Sequence, residues 1–247
     1  MFSQVFLSIV PINEGKVKYL IKKVMWVKRL FALLGCLLFL LPVRAQACSG
    51  YIALTFDDGP SGRYTRALLE GLEQRQVKAT FLLCGYRLKD YPKEAQQILK
   101  LGHEIGLHGY SHDPMDQMSA TKIKQELNDT LALLPQGCHP VWMRPPGGKY
   151  STAVKEVSKA MGLGVLNWSV DPRDWATRDV EAITTMVIHS VGDGDVILLH
   201  DMSDSSVKAA LDIVDKLKQE GFVFVTVSEL ARLKGKTIEP GKVYSHF

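Results

Sequence analysis

Two adjacent carboxylates, Asp57 and Asp58, close the apolar run in "IALTFDDGPSG", and two histidines four residues apart, His108 and His112, occupy "HGYSH". Side chains alternate along a strand, so neighbouring acids at a strand end face apart, and two acids held together repel unless something separates their tasks. The pair is either a solvated turn or a site. A four-residue spacing lets two imidazoles reach one ion if the turn between them is helical or tightly coiled. Alone, such a pair is more often structural. With Asp58 added, two histidines and a carboxylate leave an open coordination position, the arrangement of catalytic zinc, and the metal reading becomes the stronger one.

Three further segments carry reactive residues. In "RPPGG", Arg144 to Gly148, the prolines either form a stiff strand exit or hold a guanidinium against an acid while Gly147 and Gly148 offer backbone N–H groups to an anion. "DPRDW" supplies Asp174 and Trp175, and "ILLHD" supplies His200. A carboxylate that orients an imidazole raises its pKa and makes it a proton donor near neutrality, so Asp174 and His200 are a permitted pair. His103, His139, His189 and His246 fall in settings that suit structural or solvated histidines. Trp142 and Trp168 have apolar strand settings and read as core, whereas Trp175, beside Asp174, is placed at the site.

All of these segments follow apolar runs. Candidate strands are Ile52 to Phe56, Ala79 to Leu83, Glu104 to Leu107, Val141 to Arg144, Gly164 to Trp168, Val196 to Leu199 and Phe222 to Val225. Helical patterns lie between them, at Arg63 to Gln74, Pro92 to Leu101, Thr121 to Leu134, Thr152 to Met161, Val180 to Ser190 and Ser206 to Glu220. Strands too apolar for one-sided exposure, each followed by a helix, imply an α/β fold with a mostly parallel sheet. Seven such units suggest a distorted, incomplete (β/α)7 barrel. In barrels of this kind function gathers at the carboxyl ends of the strands, and five of the seven ends here carry the segments above.

The chain has 247 residues and a formal charge of +4, but residues 1–47 hold seven Lys or Arg and one acid. The remainder therefore carries 23 basic against 25 acidic residues, which argues against a nucleic-acid footprint. At the front, basic "WVKR" precedes an uncharged run from Leu30 to Val43 and then Ala45-Gln46-Ala47, the pattern of a secretory signal peptide. The run is shorter than the roughly 20 residues of a membrane span. Lipidation at Cys48 is the weaker reading, because Ala45 stands where a Leu-like residue usually precedes a lipidated cysteine. Translation starting at Met25 would give the signal its usual short basic lead. Residues 48–247 then form one domain, secreted or at the cell surface, with residual membrane anchoring as the alternative. Its cysteines are Cys48, Cys84 and Cys138, an odd number, so at most one bridge forms. Cys48 and Cys138 both precede strands at one end of the sheet and are the favoured pair.

In order, "TFDDGP", "HGYSH", "RPPGG", "WSVDPRDW" and "ILLHD" resemble the polysaccharide deacetylase family with the NodB homology domain, carbohydrate esterase family 4, from about Tyr51 to Leu230. The resemblance implies metal-dependent removal of acetyl groups from N-acetylated amino sugars in a polymer, peptidoglycan first, with chitin oligosaccharides as the alternative. It implies Asp58, His108 and His112 as ligands of one divalent metal, usually Zn2+. Asp57 would be the general base held by Arg144, and His200 the general acid supported by Asp174. Leu198 and Trp175 would shape an acetyl pocket and the Gly147 N–H would bind the oxyanion. Two positions depart from the family pattern. Gly109 replaces a common Ser or Thr, so a hydrogen bond that shapes the turn is expected to be missing. Gly147 replaces a common aromatic, leaving Tyr150 as the candidate sugar-stacking surface. A glycan-binding relative without catalysis and a two-metal phosphoesterase are the competing classes; the full residue set and the sparse basic residues argue against them. A monomer with no stable protein partner is expected.

Overall fold

The computed structural model describes residues 48–247 and, before them, residues 15, 18–20, 22–26 and 28, which are helical. The chain divides into two units, Met1–Gln46 and Ala47–Phe247. The apolar run and the proposed cleavage site lie outside the described residues. No helix among the described residues is long and apolar enough to cross a membrane.

The strand predicted around Ile52 is β1 (Gly50–Asp57), buried along nearly its whole length because it runs through the middle of a parallel sheet. Around it lie β2 (Thr80–Leu83), β3 (Glu104–Leu107), β4 (Trp142–Met143), β5 (Gly164–Leu166), β6 (Val196–His200), β7 (Phe222–Phe224) and β8 (Val243–Tyr244). The order is β6-β1-β2-β3-β4-β5-β8, with β7 paired to the first residues of β1. Beyond β5, Val170 bridges Ile197 of β6, and Asp195 bridges His246, so the ends of the sheet approach one another. The result is the curled, incompletely closed barrel expected.

The helices are α1 (Arg63–Gln74), α2 (Gly85–Asp90), α3 (Pro92–Lys100), α4 (Ala120–Leu131), α5 (Thr152–Ala160), α6 (Val180–Ser190), α7 (Asp204–Gln219) and α8 (Val227–Leu233). Ser119, Ser151, Asp179, Ser203 and Thr226 cap the N-termini of α4 to α8 by accepting a backbone N–H of the first turn. Ile52, Leu54 and Phe56 of β1 pack outward with Leu68, Leu69 and Leu72 of α1 and Ala210 and Ile213 of α7. Ala53 points to the opposite face, with Leu82, Trp142, Leu166 and Leu230. Thr55 and Asp57 continue that inner row, and a polar residue there must find its partners inside the barrel.

Register carries the site residues to one rim. Asp57 pairs with both Leu82 of β2 and His200 of β6. Leu83 pairs with Leu107, and Leu107 with Met143, so His108 and Arg144 each begin one residue beyond a paired position. Four strands are shorter than expected: β2 begins at Thr80 and β7 ends at Phe224, β4 ends at Met143 because Pro145 and Pro146 have no N–H to continue a ladder, and β5 ends at Leu166. The short elements α2, α8 and β8 were not anticipated.

The expected Cys48–Cys138 bridge is absent; Cys48, Cys84 and Cys138 are free thiols. Cys48 precedes β1 on the side where the Ser49 N–H donates to Gly221, whereas Cys138 precedes β4, three strands away. At about 4.8 Å per strand that is roughly 14 Å, about twice the Cα separation a disulfide spans. Lying at the same end of a sheet is not enough to bring two thiols together.

Candidate active site

Asp57 is the last inward residue of β1 and only 3% exposed. Its partner is Arg144, which is fully buried. Arg144 Nη1 donates to Asp57 Oδ1 at 2.6 Å and to Thr55 Oγ1 at 2.8 Å, Nη2 to the Asn167 carbonyl at 2.9 Å and Nε to the Leu166 carbonyl at 3.3 Å. Burial pulls the guanidinium's pKa down, and the Asp57 charge beside it opposes this. Such saturation makes a buried ion pair tolerable and holds the Asp57 carboxylate in one orientation.

Asp58 leaves the strand with φ at 72°, in the left-handed region, and both carboxylates approach His108 Nε2, Asp58 at 3.3 Å and Asp57 Oδ2 at 3.6 Å. Asp58 Oδ1 lies 3.3 Å from His108 Nε2 and 3.0 Å from His112 Nε2. Burial opposes charge on Asp58, but the imidazoles of His108 and His112 more than offset it and hold the carboxyl well below the usual carboxylate range. His112 is shifted upward, first by its bond to Asp58. His108 Nδ1 lies 2.8 Å from the Arg144 carbonyl oxygen, which can only accept, so Nδ1 carries the proton. In the neutral ring Nε2 is then a lone pair aimed at a buried carboxylate oxygen that has no hydrogen-bond partner of its own. Lone pairs converging in this way repel unless a cation lies among them. One donor atom from each of Asp58, His108 and His112 falls within 4.8 Å of the others, and the set of two nitrogens and one oxygen suits a divalent transition metal.

On the far side of Asp58 stands His200. Its Nδ1 is 2.8 Å from Asp174 Oδ1, its backbone N–H donates to Asp174 Oδ2 at 2.9 Å, and its Nε2 is 4.0 Å from Asp58 Oδ2. Burial disfavours the imidazolium, but the hydrogen bond and charge of Asp174, with Asp57 and Asp58 behind it, outweigh burial and raise the pKa to about 9. Nε2 therefore presents a proton to the cavity at neutral pH.

A cavity of about 370 Å³ opens over these groups, lined by Asp57, Asp58, His108, His112 and His200 together with Gly147, Leu198, Trp175, Trp168 and Asp171. Every catalytic and ligand candidate is thus in or directly beneath one cleft. Tyr150 does not line it; the ring is 43% exposed and faces Lys155 instead. Trp168, expected in the core, lines the cavity with the Arg144 guanidinium 5.4 Å from its ring. It lies beyond the end of β5, where strand alternation no longer dictates its direction. Of the two glycine amides, that of Gly148 donates to the Pro145 carbonyl, which leaves Gly147, a residue of the cavity lining, as the candidate donor. Gly147 has φ 66° and nothing within 4 Å of where a Cβ would stand.

Sequence reasoning missed two supporting acids. Asp201 is fully buried, accepts the Thr65 hydroxyl, and lies so close to Gly59 that a Cβ there would meet its Oδ1 at 2.5 Å; burial raises its pKa to about 6. Glu126 is 3% exposed on α4 and bonds to the "HGYSH" segment. Its spacing from Ile123, Leu127 and Thr130, which share the buried face of α4, was the available signal.

Comparison with known proteins gives a consistent result. Residues 44–166 match the family model described as Polysaccharide deacetylase. The chain is 40% identical to a peptidoglycan-N-acetylglucosamine deacetylase of Bacillus cereus, over 74% of this chain and 89% of that protein. It is 37% identical to the peptidoglycan-N-acetylmuramic acid deacetylase PdaC of Bacillus subtilis, over 74% of this chain but 39% of that longer protein. A family 4 acetyl xylan esterase from Clostridium thermocellum, solved with a cobalt ion, superposes with a TM-score of 0.74 at 33% identity, covering 79% of this chain and 98% of that one.

Proposed function

The chain belongs to the polysaccharide deacetylase family, and on that premise we propose that its cleft removes N-acetyl groups from the amino sugars of peptidoglycan with one zinc ion held by Asp58, His108 and His112. It is a hydrolase of amide C–N bonds, and the family is metal-dependent. The observation that carries the reading is one cleft in which three convergent metal-ligating groups stand between an arginine-held carboxylate and a carboxylate-held imidazole.

A divalent cation bound there supplies a Lewis acid that polarises the amide carbonyl and makes water more acidic. The chain's own groups do the rest. Asp57, its Oδ1 held by Arg144, has Oδ2 left to take a proton from water adding to the carbonyl carbon. As negative charge develops on the carbonyl oxygen, the N–H of Gly147, a residue that lines the cleft, would donate a hydrogen bond to it. His200, kept protonated by Asp174, gives its Nε2 proton to the leaving nitrogen as the C–N bond breaks, yielding acetate and a free amine. Leu198 and Trp175 bound the space for the acetyl methyl group.

The leader reads as an export signal cleaved after Ala47, which would place the domain where its polymer is. Amino-terminal sequencing of protein recovered from outside the cell tests this, with Cys48 as the expected first residue. For the activity, the zinc-loaded domain incubated with purified peptidoglycan should release acetate, and mass spectrometry of muropeptides should show which sugar lost its acetyl group. Binding of the polymer without acetate release would overturn the assignment in favour of a non-catalytic glycan binder.

A further inference from the structure

The two histidines of "HGYSH" are not held in the same way. His108 continues from β3 and its ring is fixed by the Arg144 carbonyl at Nδ1. His112 is half exposed, lies at φ 66°, and among the described residues its ring's ion-pair and aromatic partners are Asp58 and His108, with no hydrogen bond to a backbone carbonyl such as fixes His108. Its position is therefore set by the backbone that leads to it, and that backbone is gripped from two sides. On one side the first N–H groups of α2, from Gly85 and Tyr86, donate to the carbonyls of Gly109 and Tyr110 at 2.9 and 3.1 Å. On the other, Glu126 Oε2 accepts the N–H groups of Tyr110 and Ser111 at 2.9 and 2.8 Å and lies 3.0 Å from the Ser111 hydroxyl. Glu126 Oε1 faces Lys122 Nζ at 2.9 Å. Gly109 has no side chain with which to hold the turn, and a Cβ there would meet Met115 Cε at 2.6 Å. A single carboxylate oxygen from the neighbouring helix thus receives the amide groups of the two residues preceding His112.

We propose that Glu126 is a positioning residue for the metal site: its Oε2 sets the path of residues 109–112 and so aims the His112 imidazole at the ion shared with Asp58 and His108. The role belongs to the location of the oxygen, not to its charge. Glutamine can place an amide oxygen at the same point, whereas aspartate keeps the charge but withdraws the oxygen by one methylene. Metal-site supports of this kind are worth roughly 10- to 100-fold in affinity.

The test is a zinc titration of the metal-free domain against a chromophoric chelator, with folding followed by circular dichroism. Glu126→Ala is expected to weaken zinc binding at least ~10-fold and Glu126→Asp several-fold, while Glu126→Gln stays within about threefold of the parent. Lys122→Ala, which removes only the exposed partner of Oε1, is expected to leave affinity unchanged. In a His112→Ala background the Glu126→Ala change should cost less than about threefold, because the group it aims is gone. Should Glu126→Ala not fold, the Asp and Gln variants decide the matter. A folded Asp variant with parental affinity, a Gln variant as weak as Asp, or an undiminished Glu126→Ala effect without His112 would each overturn the proposal. It rests on the metal reading of the site, and the two fail differently: parent protein that takes up no zinc refutes that reading, whereas a parent that binds zinc and an indifferent position 126 refute this one.

Discussion

Replacing Asp174 by asparagine removes one charge and leaves the volume nearly unchanged. His200 is 13% exposed at its side chain, and burial alone would push its pKa below the ordinary 6.5. Asp174, with Asp57 and Asp58 behind it, instead holds it at about 9. The difference corresponds to roughly 3 kcal/mol in favour of the protonated ring, at about 1.4 kcal/mol per pH unit. With Asp174 present, the ring stays charged at pH 7.5 and loses its proton as the pH rises through about 9. Activity that needs this proton should therefore be retained at neutral pH and fall on a basic limb near 9. With asparagine, burial prevails and the limb should move down by roughly 2.5 pH units, to the ordinary 6.5 or lower. At pH 7.5 the protonated fraction then falls to about a tenth, so kcat should drop at least ~10-fold, with bound zinc unchanged. The assay is acetate release from an N-acetylglucosamine oligomer between pH 5 and 10, beside an NMR titration of the His200 ring in both proteins. A basic limb that stays near 9 in the variant, or a His200 ring that still titrates there, would refute the assignment of the acid to His200 and of its support to Asp174.

Asp57→Asn should retain zinc and lose turnover by at least ~100-fold, whereas His108→Ala should lose the zinc; equal metal content and activity in the two variants would undo the division of labour. Arg144→Met strands Asp57 in the barrel interior and should cost roughly 3 to 5 kcal/mol, read as a melting point lower by about 10 °C; an unshifted transition would mean that the ion pair adds little to stability. The domain from residue 48 onward, denatured without reductant, should take up three alkyl groups, and a count of one would reveal a bridge.

The long periodic elements were legible in the sequence because their own residues specify them. α1 and α6 begin and end where the apolar spacing places them, and β1 shows its central position by the unbroken apolar run from Ile52 to Leu54. The short elements β8, α2 and α8 carry too few positions, and too weak an apolar run, to show in the sequence, and they exist because the sheet and the barrel end provide partners for them. The site residues were legible for another reason. A parallel sheet brings every strand's carboxyl end to one rim, so acids and histidines that repeatedly follow apolar runs gather there however far apart they lie in the chain.

What stands beside what at that rim was decided by non-local geometry. The sequence by itself determined the chemical inventory: two carboxylates at one strand end, two histidines four apart, an arginine before prolines, and an acid and a histidine that could pair. Tertiary structure decided that Arg144 would be fully buried across the barrel from its own strand, and that two adjacent acids would have different partners, Asp57 pairing with Arg144 and Asp58 with His112. It also turned Tyr150 out of the cleft and Trp168 into it, and set Cys48 and Cys138 three strands apart. Lateral strand order, closure and loop path depend on packing among segments far apart in the chain, and no local pattern of residue types encodes those distances.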